Sequence, residues 1–150
     1  MATVEVATQV DASLADTWDH FFREPAWRTW VDGFGAVVAN DGYPEKGGSL
    51  RWRATPAGRG EVSERVLEHE HRRRHLVSFT DPTMEGELET RFAIAGEGTR
   101  VVQALTYQVV ARGPIARIGA VLFVNGQIRA SMERSLLGFR EFVEGSGAAG

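Results

Sequence analysis

Apart from two short helical stretches after the first strand, apolar residues along this chain follow a period of two until Gly113-Pro114, and a period between three and four after it. From Ile115 to Val143 the residues Ile118, Val121, Leu122, Ile128, Met132, Leu136, Phe139 and Val143 recur three and four apart, which predicts one long amphipathic helix. Asn125 interrupts that stripe near its centre, so a polar amide points at whatever the helix covers. The Asn125-Gly126 pair also allows a break in the helix.

Before the helix, alternation predicts strands. Thr3–Val10 alternates and is followed by Asp11 and Ser13, two N-cap residues for a short helix carrying Leu14, Trp18, Phe21 and Phe22. Pro25 restarts the chain into a second helical turn through Ala26–Val31. Strands are then predicted over Ala36–Ala39, Ser49–Thr55, Glu61–Glu70, Arg74–Thr80, Glu87–Ala95 and Thr99–Val110, divided by Gly-, Pro- and Asp-rich turns. Short connections make the sheet antiparallel, with one packed face and one solvated face. The expected fold is α+β: a curved antiparallel sheet of about seven strands around a long C-terminal helix, with two short helices after strand 1. One domain over residues 1–144 is expected, with a disordered Gly-rich tail over 145–150. A twisted sheet gripping a helix leaves room for a small molecule where the two separate.

Composition narrows the partners. A net charge of −3 argues against nucleic acid, since no basic surplus displaces phosphate counterions. The absence of cysteine removes disulfides and thiolate chemistry and fits a cytoplasmic protein. The first residues lack the basic start and apolar core of a secretory signal. No apolar run reaches the roughly 20 residues that span a bilayer, so no stable membrane insertion is expected. A monomer or homodimer is expected, with no cofactor.

The starting strand with VDASLADTWDHF, the FREPAWRTWVDG segment, NDGYPEKGGSLRWR, the EGTRVVQALTY strand and the long closing helix occur in that order over residues 1–144. In this the chain resembles the START/Bet v 1-like (SRPBCC) superfamily, and within it the bacterial polyketide cyclase/dehydrase and lipid-transport branch. The resemblance implies a helix-grip fold with a deep, mostly apolar cavity between sheet and C-terminal helix. It implies no single chemistry, because such proteins include cyclases, hydrolases, lipid carriers, hormone receptors and co-chaperone-like proteins.

Individual residues carry the functional expectations. An inward Tyr107 places Gln103 inward as well, and with Asn125 these would offer directional bonds to an oxygenated, largely apolar ligand. Tyr107 as plain core packing is the alternative. Trp27 and Trp30 sit beside the short helices that, in the family resembled, border the cavity mouth, and Trp52 shares a strand face with Leu50; all three could equally be core. Phe79, Leu88, Phe92, Leu122 and Met132 complete the expected cavity lining. If Val62 and Val66 face inward, so does Glu64, a carboxylate fit for proton transfer; an ion pair with Arg51 or Arg53 is the alternative. His75 faces inward if it alternates with Val77 and Phe79, although Leu76 supports the opposite phase. His69 and His71 sit in EHEHRRRH, which reads as a solvated turn, and no third ligand supports a metal site.

The expected function is binding of a small hydrophobic molecule, lipid-, sterol- or aromatic polyketide-like. The rival is a cyclase/dehydratase-type enzyme acting through Glu64, His75, Tyr107 and Asn125. A co-chaperone-like interaction module would instead present an apolar surface patch.

Overall fold

The computed structural model describes residues 1–55, 60–110 and 114–149, with side chains apart from those of 114–123 and 148–149. The chain runs β1 (Ala2–Val10), α1 (Leu14–Phe21), a 3-10 turn (Glu24–Ala26), α2 (Trp27–Trp30), β2 (Phe34–Asp41), β3 (Ser49–Ala54), β4 (Glu61–Glu70), β5 (Arg74–Thr80), β6 (Met84–Ala95), β7 (Gly98–Val109) and α3 (Pro114–Ala149). All seven strands form one antiparallel sheet in the order β1-β7-β6-β5-β4-β3-β2. The meander from β2 to β7 follows from its short connections, and β1 closes on β7 across the two short helices.

Local chemistry starts and stops these elements. Ser13 caps α1, its Oγ accepting from the Asp16 N–H at 3.1 Å. The amphipathic half of α3 buries Ile128, Leu136, Phe139 and Val143, spaced as the stripe predicts, with Met132 half-buried between them. Helix and α2 meet closely: a Cβ on Gly138 would stand 3.3 Å from the Trp30 carbonyl oxygen. Asn125-Gly126 does not break the helix. Nor does it stop at the expected tail: residues 145–147 remain helical, with Ser146 Oγ donating to the Phe142 carbonyl at 2.8 Å. The helical bonds already running through Phe142 extend one more turn despite the glycines.

The inner sheet face is a set of cross-strand rows. Val66, Val77, Leu88, Leu105 and Val4 form one row, and Leu50, Glu64, Phe79, Gly86 and Tyr107 another. Gly86 is required where it stands: a Cβ there would overlap the Thr106 carbonyl oxygen and lie 2.8 Å from Tyr107 Cα. Side chains of the same face and the two short helices build an aromatic core in which Phe21 touches Phe22, Trp30, Phe92 and Phe139 at ring separations of 5.1–5.4 Å. No helix among the described residues is long and apolar enough to cross a membrane.

Strand phase resolves the two ambiguous segments. Val62, Glu64 and Val66 of β4 face inward, as do His75, Val77 and Phe79 of β5, while Leu76 takes the outer face. A bulge between Val66 and Glu68 then resets the alternation, so that His69 returns to the inner face opposite His75. The expectation of a solvated turn therefore applies to 71–73 and not to His69, which is half-buried beside Trp18 and Phe22.

Candidate functional site

A cavity of about 170 Å³ opens between the inner sheet face, α2 and α3. Its wall on one side is aromatic: Trp27, Trp30, Phe34 and Trp52, with Phe34 and Trp52 stacked at 5.3 Å. The sheet face beside Trp52 is aliphatic, from Leu50, Val62, Val77, Leu88 and Leu105, and α3 contributes Met132. Trp27 is fixed by its indole N–H, which donates to the Phe21 carbonyl at 2.9 Å. Such a lining leaves few directional groups.

Among the described residues, polar groups reach this space at four places. On β4, Glu64 Oε2 accepts from the Trp52 indole N–H at 2.7 Å, which orients both side chains. The bridge expected between Glu64 and Arg51 does not form; Arg51 pairs with Glu61 at 3.2 Å on the outer face, because residues 51 and 61 share the other strand phase. Across β6 and β7, Gln103 Nε2 donates to Thr90 Oγ1 at 3.2 Å, both side chains buried. In the same cross-strand row, His75 lies 3.2 Å through Nε2 from the Tyr43 hydroxyl and 3.0 Å through Nδ1 from His69 Nδ1. At the mouth, Asp32 ties the loop after α2 to α3. Its carboxylate accepts from Ser131 Oγ at 2.7 Å and Arg134 Nη2 at 2.9 Å, and its N–H donates to Ser135 Oγ at 2.9 Å.

The electrostatics separate these groups by burial. Burial pushes the His75 imidazole down to about 3, helped by His69, so its ring is neutral at physiological pH. Burial also lowers His69, against the opposing pull of Glu45. Tyr43 is raised well above an ordinary tyrosine, by burial first and then by Glu64 and Glu24. The hydrogen bond from Arg134 holds Asp32 below the usual carboxylate range. The cavity thus keeps its tyrosine protonated and its histidine uncharged. Among the described residues no group of three His, Asp or Glu side chains could hold a metal ion.

The profile of polyketide cyclase / dehydrase and lipid transport proteins matches residues 1–144. The chain belongs to that family. No curated protein matches it. Among solved structures, protein SA2116 of Staphylococcus aureus superposes with a TM-score of 0.78 at 11% identity, covering 98% of this chain and 96% of that one. TTHA0849 of Thermus thermophilus gives 0.69 at 21% identity, over 97% and 99%. DynU16, from the dynemicin biosynthetic locus, gives 0.67 at 18% identity over 95% of this chain, which spans 47% of DynU16. At these identities the likeness establishes the shared helix-grip fold.

For this family member, the cavity brings together Trp27, Trp30, Trp52, Glu64, His75, Phe79, Leu88, Gln103 and Met132 of the residues singled out from sequence. It does not include three others. Phe92 packs between Trp18 and Phe21, at 5.0 and 5.3 Å, in the core beneath α1. Tyr107 and Asn125 face inward but meet each other, the tyrosine hydroxyl donating to Asn125 Oδ1 at 3.1 Å, and neither lines the cavity. The side chain of Leu122 lies outside the described residues. Tyr43, Asp32, Ser131 and Ser135 were not expected. Tyr43 lies in the connection between β2 and β3, where periodicity carries no information, and its only sequence signal is an aromatic within a Gly- and Pro-rich turn.

Proposed function

We propose that this domain binds a small, uncharged, ring-containing molecule in the cavity between the sheet and α3. The observation that carries the reading is the lining: three tryptophans and Phe34 beside an aliphatic sheet surface, with polar atoms confined to a few fixed positions. Size narrows the ligand class. Apolar cavities of about 150 Å³ admit a benzene ring, while drug-sized ligands occupy about 300 Å³ or more. A one- or two-ring aromatic matches about 170 Å³, and a sterol or long acyl chain requires the mouth to open. Trp30 adds a reason for a ligand with an acceptor atom. Its buried indole N–H has no partner among the described residues, and supplying one recovers a desolvation cost of about 1–3 kcal/mol.

A second reading is favoured by one observation: a carboxylate, Glu64, and a neutral imidazole–phenol pair, His75 and Tyr43, line the same apolar cavity. That is the acid–base equipment of a cyclase- or dehydratase-type enzyme acting on a ligand held by orientation. Native mass spectrometry separates the two readings, using the protein alone and with fatty acids, sterols and one- to three-ring aromatics. Binding of the smaller aromatics, released unchanged, supports the carrier. Release of a compound altered in mass, abolished in Glu64→Gln, supports the enzyme. Retention of sterols or acyl chains alone, or of nothing, contradicts the proposal.

A further inference from the structure

The cavity's most unusual polar feature is a chain of three side chains that the binding reading leaves without a role. Tyr43 Oη, His75 Nε2, His75 Nδ1 and His69 Nδ1 are joined by two hydrogen bonds of 3.2 and 3.0 Å. Tyr43 and His75 line the cavity, and half-buried His69 lies outside the lining, against Trp18 and Phe22. The rings are held edge to face, Tyr43 to His75 at 5.4 Å and 89° and His69 to His75 at 5.1 Å and 89°. Packing of Phe22 against His75 and of Trp27 against Tyr43 fixes them further.

Each link contains one proton between two heavy atoms, so the chain has two self-consistent directions. In the first, His69 Nδ1–H donates to His75 Nδ1, His75 Nε2–H donates to Tyr43 Oη, and the tyrosine O–H is free to donate into the cavity. In the second, the tyrosine O–H donates to His75 Nε2, His75 Nδ1–H donates to His69 Nδ1, and Tyr43 Oη accepts from the cavity. Every ring holds one proton and no charge in both. Conversion passes one proton along the chain, with water supplying a proton to His69 Nε2 and taking one from the cavity side. The low proton affinity of buried His75 removes the charged alternative, in which the ring would donate from both nitrogens.

We infer that Tyr43, backed by His75 and His69, is a reversible oxygen subsite that takes a ligand carbonyl in one tautomeric state and a ligand hydroxyl in the other. The inference rests on the cavity-binding proposal and adds the ligand's chemistry: an aromatic body bearing one uncharged oxygen, as ketone or phenol. A fixed acceptor would leave a ketone oxygen without a donor, and a fixed donor would leave a phenol's own O–H unpaired. The reversible chain accepts both, at the cost of moving one proton.

The test uses full-length protein labelled with ¹⁵N-histidine, whose ring-nitrogen shifts distinguish protonated from bare nitrogen. Acetophenone, an acceptor only, and 4-ethylphenol, a ready donor, serve as probes, with calorimetry to establish saturation. Acetophenone is expected to put the His75 proton on Nε2, and 4-ethylphenol to put it on Nδ1, with His69 switching in step. Tyr43→Phe keeps the ring packing; it is expected to weaken both ligands about tenfold and to abolish the opposite shifts. The same His75 tautomer with both ligands, or opposite tautomers that persist in Tyr43→Phe, overturns the inference while leaving the cavity proposal intact. Should Tyr43→Phe not fold, the comparison of the two ligands on the natural chain decides alone. Binding of neither compound overturns the cavity proposal, and the subsite with it.

Discussion

Two tyrosines on the same side of this sheet have opposite circumstances. Tyr107, on β7, is wholly buried and closes its hydrogen bond on Asn125 of α3, so its polarity is consumed in joining helix to sheet. Tyr43, on the β2–β3 connection, bonds His75, which in turn bonds His69, and borders the cavity. Both hydroxyls are raised in proton affinity by burial, so the difference between them is one of partner, not of charge. An inward polar group marks a ligand site only where its polar atom stays available to the space beside it. Elsewhere it is a joint.

The largest effect expected of any change bearing on this comparison is at Gly86, opposite Tyr107. Gly86→Ala forces the backbone of β7 away and is expected to destabilise the domain by about 3 kcal/mol or more, lowering the melting temperature by about 10 °C. Calorimetry checks this, and an unchanged melting temperature would show that the two strands can separate without loss.

The paired substitutions Tyr107→Phe and Tyr43→Phe sharpen the comparison. The first leaves Asn125 Oδ1 without its donor and is expected to cost about 1–3 kcal/mol of stability, with ligand affinity unchanged. The second is expected to weaken ligands about tenfold with a smaller loss of stability. Denaturant unfolding and calorimetric binding, run on both variants, would refute the contrast if the losses came out alike.

Acid should reach the His75 end first. The folded pKa of His75, about 3, lies below its ordinary value of 6.5, so between these the unfolded chain binds a proton that the folded chain does not. Stability is therefore complete above pH 6.5 and declines as pH falls toward 3, by at most about 1.4 kcal/mol per pH unit from this group. His69, also lowered by burial, acts in the same direction. His75→Gln is expected to flatten that slope in unfolding free energy measured between about pH 4 and 7.

The smallest effect is expected at the mouth. Asp32→Asn removes the ion pair to exposed Arg134, which solvent screens, and is expected to leave stability nearly unchanged. It loosens the tether between the α2 loop and α3, so ligand dissociation in stopped-flow tryptophan fluorescence should become faster. An unchanged rate would mean that ligands do not leave past this loop.

The order of elements was legible because the strand period of about 2 gives way to the long helix's period of 3.6 at Gly113-Pro114, and because the inward residues of β3, β6 and β7 alternate without interruption. The site was legible only in part, for physical reasons that can be named. Strand alternation places Glu64 inward once Val62 and Val66 are placed, but the bulge after Val66 shifts the phase and brings His69 back inward, which no count by twos anticipates. Tyr43 arrives from a loop, and loops have no period. Alternation also turned Tyr107 inward as expected, yet it carries no information on whether α3 covers a residue or leaves it facing space.

On this reading the space beside Tyr43 and Trp52, and not the Tyr107–Asn125 joint, receives a ligand. A crystal structure with 4-bromophenol, collected at the bromine absorption edge, tests it directly. The predicted result is one anomalous peak between the aromatic wall and the β4–β5 surface, with the phenol oxygen at hydrogen-bond distance from Tyr43 Oη. Bromine bound beside Tyr107 and Asn125 with this cavity empty, or no bound bromine at saturating concentration, would contradict it.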